Sequence, residues 1–149
     1  MRQLPLPGLA DDKPVNVASV PQRSPFRYPG GKTWLVPWVR AWLAYRQPRP
    51  SVLIEPFAGG AIVGLTAAFE RLAEHVLLVE LDDQVAAVWQ TIITQDAGQW
   101  LSDRILSFDL TPENVDRVLA EHPASVEERA FQTIVKNRTY HGGILAAGS

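Results

Sequence analysis

The sequence contains no cysteine among its 149 residues, so disulfide bonds and cysteine-ligated metal centres are excluded. Only three histidines are present, at scattered positions, which argues against a metal site. No apolar run approaches the ~18–20 residues that a membrane-spanning helix needs. No basic-then-apolar signal peptide opens the chain. We therefore expect a cytoplasmic protein without a metal and without a membrane partner.

The charge is distributed unevenly along the chain. Residues 1–50 carry eight Lys or Arg and two acids, whereas residues 51–149 carry six Lys or Arg and fourteen acids. A basic segment ahead of an acidic body can face phosphates, but it can also be a solvated face with a charged tail. Residues 1–24 carry four prolines among small and polar residues without periodicity, which predicts a flexible extension.

The strongest local pattern lies in residues 52–64. Three apolar β-formers lead into Glu55, and then come Pro56, Phe57 and the pair Gly59-Gly60, ahead of an apolar helical pattern. This order predicts a strand, a tight turn and the start of a helix, with glycine where the backbone turns sharply or approaches a ligand. The carboxyl end of a parallel strand that faces a helix N-terminus is where α/β folds bind nucleotides.

A second apolar run, residues 76–79, predicts another strand and ends in Glu80. An acid at that point can accept hydrogen bonds from the ribose hydroxyls of an adenosine-containing ligand. We therefore expect a site for a nucleotide-like ligand between the two strand ends. For Glu55, the alternative is a solvated loop carboxylate, since acids are usually exposed.

The stretch before the first strand joins an aromatic, a glycine pair and a cation at residues 28–33. It is not a phosphate-binding ATPase loop, because the required first glycine is replaced by Phe26 and no strand precedes it. Trp34, Trp38 and Trp42 are spaced four apart, which predicts one face of a helix, and core packing is the expected role of such a stripe.

A dinucleotide-binding oxidoreductase is a rival interpretation. Gly59, Ala61 and Gly64 have the spacing of the dehydrogenase fingerprint, with Glu80 as its acid. The middle glycine, which lets the backbone approach a pyrophosphate, is here Ala61. The insertion of residues 55–57 in the turn also departs from that fingerprint. An oxidoreductase fragment therefore remains the weaker alternative.

Three blocks, in this order and spacing, resemble the adenine-specific DNA methyltransferases of the DNA adenine methylase type, the D12 class. They are Arg-Tyr-Pro-Gly-Gly-Lys at 27–32, Glu-Pro-Phe-Ala-Gly-Gly at 55–60, and Val-Glu-Leu-Asp at 79–82. The resemblance implies transfer of a methyl group from S-adenosylmethionine to adenine N6 in double-stranded DNA. It also implies an α/β, Rossmann-like S-adenosylmethionine-dependent methyltransferase fold, here partial, with a helical segment after the second strand.

The resemblance implies a cofactor site that draws on all three blocks. A helix N-terminus can hold the carboxylate of the cofactor, and Lys32 can add a charge-assisted hydrogen bond. Glu55 can take the ammonium or brace the loop, and Tyr28 or Phe57 can offer an aromatic face to adenine or to the sulfonium. Glu80 binds the ribose. The implied cofactor-binding residues are Tyr28, Gly30, Gly31, Lys32, Glu55, Pro56, Phe57, Gly59, Gly60 and Glu80.

Helical patterns follow the second strand. Residues 83–93 are amphipathic, Thr111 before Pro112 reads as an N-cap with proline at the first helical position, and Ser125 with Glu128 forms a capping box. The last helix ends in Lys136, Asn137 and Arg138, which resemble the family's segment near the target-recognition region. These three residues are candidate DNA contacts. The alternative is a helix end at which basic residues are favoured by the helix dipole.

The family's catalytic motif, Asp-Pro-Pro-Tyr or close to it, holds the amino group of an adenine flipped out of the duplex. The sequence contains no Pro-Pro dipeptide, so no catalytic residue is assigned. Two strands with helices leave an exposed sheet edge. We therefore expect a fragment, a non-catalytic remnant that binds S-adenosylmethionine or DNA, or a subunit completed by a second polypeptide with the catalytic motif. The expected organisation is an extension at 1–24, a cofactor-binding core at 25–95 and a helical segment at 96–149.

Overall fold

The structure, a computed structural model, describes residues 17–26 and 31–140. Of these, residues 17–25 and 31–79 form one compact unit, and Phe26 with residues 80–140 forms a second. The first unit contains a 3-10 turn at Val17–Ser19, a second at Lys32–Leu35, α1 (Val36–Ala44), β1 (Val52–Pro56), α2 (Ile62–Phe69) and β2 (His75–Val79). The second unit contains α3 (Asp83–Ile93), α4 (Gln95–Leu106), α5 (Pro112–Ala120) and α6 (Val126–Thr139).

The two predicted strands pair in parallel, with α2 as the connection between them. Ile54 lies opposite Leu77, and Pro56 lies opposite Val79. One face of this small sheet packs against α2. On the other face the apolar side chains of Val52, Ile54, Leu77 and Val79 are each between 47% and 57% exposed. The sheet therefore has one covered and one uncovered apolar face among the described residues.

Gly64 lies where α2 packs closely against the sheet. A Cβ atom at this position would lie 2.7 Å from Leu78 Cδ2, 2.8 Å from Glu55 Oε2 and 3.0 Å from Val76 Cγ1. No real side chain fits at such distances without a shift of the helix or of the sheet. Glycine here permits close helix–strand packing, and that packing sets the distance between the α2 N-terminus and the end of β1.

The N-terminal residues of the described chain pack on the first unit. Val20 joins Val36, Ile62 and Val63 in one buried apolar cluster. Arg23 forms an ion pair with Glu70 at 3.1 Å. The flexible extension predicted for residues 1–24 therefore does not include the segment around Val20 and Arg23, because an apolar anchor and an ion pair hold that segment; residues 1–16 lie outside the described residues.

The tryptophan stripe is only partly as predicted. Trp34 lies in the 3-10 turn ahead of α1 and is 56% exposed, so the expectation of core packing is wrong for this residue. The reason is that the α-helix begins only at Val36, which takes the inward position together with Leu43. Trp42 is half-buried and lies under the guanidinium of Arg46, 4.7 Å from its ring centroid.

The second unit is a helical cluster in which α3 packs chiefly on α6, with α4 and α5 alongside. Its helix starts follow the local sequence signals. Asp82 accepts hydrogen bonds from the amides of Gln84 and Val85 at the start of α3. Thr111 caps α5, and Ser125 caps α6 through the amide of Glu128 at 3.2 Å. The buried apolar residues of this unit are Phe26, Val85, Ala87, Val88, Trp89, Leu101, Val118, Ala130, Phe131, Ile134 and Val135.

The fold is thus a mixed helix–strand arrangement with a small parallel sheet, which is compatible with an α/β methyltransferase domain. The complete Rossmann-like sheet implied by the resemblance remains a prediction. Within residues 17–26 and 31–140, no helix is both long enough and apolar enough to cross a bilayer.

Candidate functional site at the carboxyl end of the first strand

The turn between β1 and α2 has an unusual backbone. Phe57, Gly59 and Ala61 have φ values of 53°, 50° and 49°. Positive φ is common for glycine but is strained for Phe and Ala, and such strain is concentrated at functional sites. Along residues 57–61, the first, third and fifth residues therefore have positive φ, and the two residues between them do not. Within this turn the amides of Ala58 and Ala61 donate to the carbonyl oxygens of Val79 and Ala58, at 2.9 Å and 2.7 Å.

Glu55 caps α2 from the sheet. Its Oε2 accepts a 2.6 Å hydrogen bond from the amide of Gly64, the third residue of the helix. The residue at the N-cap position, Ala61, has no side-chain oxygen to make this bond. A carboxylate near the first turn is also favoured by the helix dipole. Glu55 is only 4% exposed, so this contact is made away from bulk water.

Lys32 binds the same turn from the other side. Its Nζ lies 2.9 Å from Glu55 Oε1 and donates to the carbonyl oxygen of Phe57 at 2.7 Å and, more weakly, to that of Pro56 at 3.4 Å. The contact with Glu55 is an ion pair without hydrogen-bond alignment, so the buried Oε1 has no aligned donor. In this structure Lys32 therefore braces the turn through acceptors of its own chain.

The aromatic and glycine residues of the predicted cofactor site differ in placement. The side chain of Phe57 is 79% exposed at the turn, and Gly59 and Gly60 lie beside it. Gly31 immediately precedes the 3-10 turn that carries Lys32. Tyr28 and Gly30 lie outside the described residues. The turn thus presents one aromatic ring to solvent next to a pair of small residues.

Glu80 belongs to the second unit and is held differently from Glu55. Its Oε1 accepts hydrogen bonds from the amides of Leu81 at 2.8 Å and Asp82 at 3.0 Å. It is half-buried, and it directly precedes the N-cap of α3. The acid predicted to bind ribose therefore also accepts hydrogen bonds from the two amides that follow it in the chain.

The three candidate DNA contacts lie in the last turn of α6. Lys136 Nζ lies 3.4 Å from Gln84 Oε1 and 5.4 Å from the centroid of the Tyr140 ring. Arg138 is exposed, whereas Asn137 is only 1% exposed. The burial of Asn137 argues against the predicted DNA contact by this side chain, because a buried amide offers no surface to a duplex. The positions of Lys136 and Arg138 fit both a phosphate contact and a favourable helix end.

Two grooves in the second unit lie away from the predicted cofactor residues. The larger, of about 380 Å³, runs beside α3 and the start of α6 and is spanned by an ion pair between Asp83 and Arg129. The smaller, of about 100 Å³, lies among Trp100, His122 and Phe131. Neither of these two grooves is lined by a residue of the three sequence blocks.

Together, the parallel strand pair and the strand–turn–helix with its buried acid define an α/β protein of a kind that can bind a nucleotide-like ligand. Residues 28–132 match the family described as D12 class N6 adenine-specific DNA methyltransferase. Because this match covers more than half of the 149 residues, the chain belongs to that family. No curated protein and no solved structure matches the chain significantly.

Methyltransferases of this family generally use S-adenosylmethionine, and the turn after β1 fits the amino-acid end of that cofactor. The N-terminus of α2 suits a carboxylate. The buried Glu55 Oε1, which lacks an aligned donor, suits an ammonium. The residues present therefore match the chemistry of the group, with Phe57 as the exposed aromatic neighbour.

Sequence reasoning missed the brace between Lys32 and the turn. The two partners, Lys32 and Glu55, are 23 positions apart, and no periodicity links them. It also missed positive φ at Phe57 and Ala61, because only glycine signals that conformation in a sequence. The pairing of Arg23 and Arg40 with Glu70 likewise has no local signal.

Proposed function

We propose that this chain forms the S-adenosylmethionine-binding part of a DNA methyltransferase that acts on adenine N6. The observation that carries the proposal is the strained turn after β1, with the buried Glu55 capping α2, inside the region that matches the family. An acid and a helix N-terminus joined in this way provide both an acceptor for an ammonium and donors for a carboxylate.

Different residues of the proposed pocket contact different parts of the cofactor. The N-terminus of α2 holds the methionine carboxylate, and Glu55 faces the ammonium. Phe57, together with Tyr28, offers an aromatic face to the adenine or to the sulfonium. Glu80 accepts hydrogen bonds from the ribose hydroxyls. Pro56 and the glycines at 31, 59 and 60 shape the loops, and Gly30 stays a predicted cofactor residue. When bound, the cofactor supplies a methyl group activated by its sulfonium.

We further propose double-stranded DNA as the substrate partner, with Lys136 and Arg138 at the end of α6 as candidate phosphate contacts. The catalytic Asp-Pro-Pro-Tyr motif is supplied by additional polypeptide. The uncovered apolar face of the sheet supports this part of the proposal, because parallel sheets are almost always covered on both faces.

The second candidate function is a non-catalytic protein that binds S-adenosylmethionine or DNA. The observation that favours it is the sequence itself, which contains no Pro-Pro dipeptide. A methylation assay on adenine-containing duplex DNA, with and without a polypeptide that carries the motif, separates the two functions. Methyl transfer only in the completed sample supports the first, and binding without transfer in both supports the second.

Calorimetric titration of S-adenosylmethionine into the wild type and into Glu80→Ala tests the pocket. We expect heat with the wild type and at least about tenfold weaker binding with the variant, because hydrogen bonds to a charged group are lost. Glu113→Ala, which removes an exposed acid of the same unit, is the matched control and should bind as the wild type does. Equal heats for all three proteins, with folding verified by circular dichroism, would exclude the assignment. Binding of NAD instead would point to the oxidoreductase alternative.

A further inference from the structure

We propose that Lys32 is a positioning residue that holds the turn at Phe57 in its strained conformation and does not itself bind the carboxylate of the cofactor. The inference deepens the proposed function and rests on it for the identity of the ligand. It replaces the role that the sequence resemblance implies for Lys32, which is a direct bond to the cofactor carboxylate.

Lys32 has a limited number of hydrogen-bond donors. An ammonium group has three N–H donors and no acceptor. Three oxygen atoms already surround Nζ: Glu55 Oε1 at 2.9 Å, the Phe57 carbonyl at 2.7 Å and the Pro56 carbonyl at 3.4 Å. The two carbonyl oxygens accept hydrogen bonds and Glu55 Oε1 is an ion-pair partner, so a ligand carboxylate would approach an ammonium that three oxygen atoms already surround.

Lys32 also carries the charge that offsets a buried acid. The Lys32 ammonium is matched by the Glu55 carboxylate, whose side chain is almost wholly buried. In the ligand-free protein, loss of the Lys32 ammonium would leave the buried Glu55 carboxylate without this counter-charge, which is strongly destabilising. If Lys32 moved to the carboxylate of a bound ligand, the ligand ammonium could replace it at Glu55, but the carbonyl oxygens of Pro56 and Phe57 would lose their donor.

The backbone of the turn also favours a cation at this position. The carbonyl groups of Pro56 and Phe57 are consecutive, and both point towards the same ammonium. Two neighbouring carbonyls converge in this way where the chain reverses sharply, here at Phe57 with φ of 53°. A cation between them offsets the mutual repulsion of their oxygen atoms. Lys32 thus stabilises the conformation that presents the Phe57 ring at the surface.

In ligand binding, the residues that fix the turn therefore differ from the groups that contact the ligand. Lys32 and Glu55 fix the turn, Phe57 is presented as the aromatic surface, and the carboxylate of the ligand is left to backbone N–H groups at the α2 N-terminus. Loss of Lys32 should therefore weaken every ligand that uses the turn, including one that has no carboxylate.

The test uses Lys32→Met, which keeps the length of the side chain and removes its charge. Binding of S-adenosylmethionine and of 5′-methylthioadenosine, which lacks the amino-acid end, is measured by calorimetry on the full chain. Positioning predicts that both affinities fall by about the same factor, at least about tenfold for a lost charged hydrogen bond. If S-adenosylmethionine alone is weakened and 5′-methylthioadenosine binds as before, Lys32 is a carboxylate ligand and the proposal is wrong.

A second readout requires no ligand, so it still decides the role of Lys32 if the wild type binds neither compound and the proposed function fails. Amide hydrogen exchange in the ligand-free Lys32→Met protein should be faster by about tenfold at residues 57–64, where the charged hydrogen bonds are lost. Exchange in α3 and α6 should be unchanged and serves as the internal control. Wild-type exchange rates at residues 57–64 would overturn the proposal.

A double-mutant cycle covers the case in which Lys32→Met unfolds too easily for exchange measurements. Glycine adopts positive φ without strain, so Phe57→Gly removes the need for a brace at that position. The urea midpoint should shift less for Lys32→Met in the Phe57→Gly background than in the wild type. Equal shifts in both backgrounds mean that Lys32 does not act through the Phe57 conformation, which contradicts the proposal.

Discussion

The two acids at the strand ends, Glu55 in the first unit and Glu80 at the start of the second, make an instructive pair. Glu55 is buried, caps α2 through Gly64 and carries an ion pair with Lys32 from 23 residues away. Glu80 is half-buried and binds the two amides that follow it. The same residue type at equivalent sequence positions therefore contacts a helix N-terminus and a distant cation in one case and the two following amides in the other.

The difference shows which acid should matter for stability and which for ligand affinity. A buried carboxylate that satisfies a helix N-terminus and pairs with a cation is part of the fold, and its loss leaves uncompensated groups. An acid held by local hydrogen bonds near the surface can be removed with little damage, so its effect should be seen in binding. The predictions below test this separation.

The largest effect is expected for Glu55→Ala. The variant leaves the Gly64 amide without its acceptor and Lys32 without its counter-charge, so we expect a loss of about 3 kcal/mol in the free energy of unfolding. Urea denaturation measures it. Glu74→Ala, which removes an exposed acid 3.9 Å from Arg49, should cost less than about 1 kcal/mol. Similar losses in the two variants would show that Glu55 is not structural.

Gly64→Ala should have the second-largest effect on the free energy of unfolding. Whether stability rises or falls distinguishes helix propensity from overpacking. Alanine is favoured over glycine in a helix interior by about 1 kcal/mol, so propensity alone predicts stabilisation. The close contacts with Leu78, Val76 and Glu55 predict instead a loss of about 1–3 kcal/mol from overpacking. Thermal denaturation decides between them, and a raised melting temperature would contradict the close approach of α2 to the sheet.

Glu80→Gln should change the affinity for the ligand much more than it changes the free energy of unfolding. Glutamine keeps an acceptor oxygen for the amides of Leu81 and Asp82, so the free energy of unfolding should change by less than about 0.5 kcal/mol. Affinity for S-adenosylmethionine should fall by about tenfold, because bonds from the ribose to a charged acceptor are stronger than those to an amide. A destabilisation as large as that of Glu55→Ala would remove the contrast between the two acids.

The smallest effect is expected at the end of α2 and depends on pH. Hydrogen bonds from Arg40, with those from Arg23, lower the pKa of Glu70 below its ordinary 4.5. Because the folded-state pKa is depressed, this carboxylate stabilises the fold above about pH 4.5, and the contribution is lost as the pH falls through the lowered value. Urea midpoints between pH 7 and 3 should fall less in Glu70→Gln than in the wild type. Parallel pH profiles would contradict the role of this network.

Local signals explain what could be predicted from the sequence. The bounds of α3 at Asp83–Ile93, the N-cap at Thr111 and the capping box at Ser125 follow from hydrogen bonds between residues close in sequence. The two strands were found because short apolar runs end in turn residues. Such features need no knowledge of the tertiary structure.

The parts that could not be predicted depend on contacts between distant residues. The pairing of Lys32 with Glu55 was hidden because both residues had plausible ligand roles on their own. Burial of Asn137 was not visible from its place in a basic block at the helix end. Exposure of Trp34 depends on where the helix begins, and helix starts shift with 3-10 turns that leave no clear pattern.

The most direct test of the account is to map the response of backbone amides to S-adenosylmethionine by heteronuclear NMR. The account predicts that chemical-shift changes will be concentrated at residues 57–64, where the turn and the start of α2 face the amino-acid end, and at residues 80–82, where Glu80 meets the ribose. Changes located only around the grooves of the second unit, or no changes in a folded protein, would contradict the proposed cofactor site.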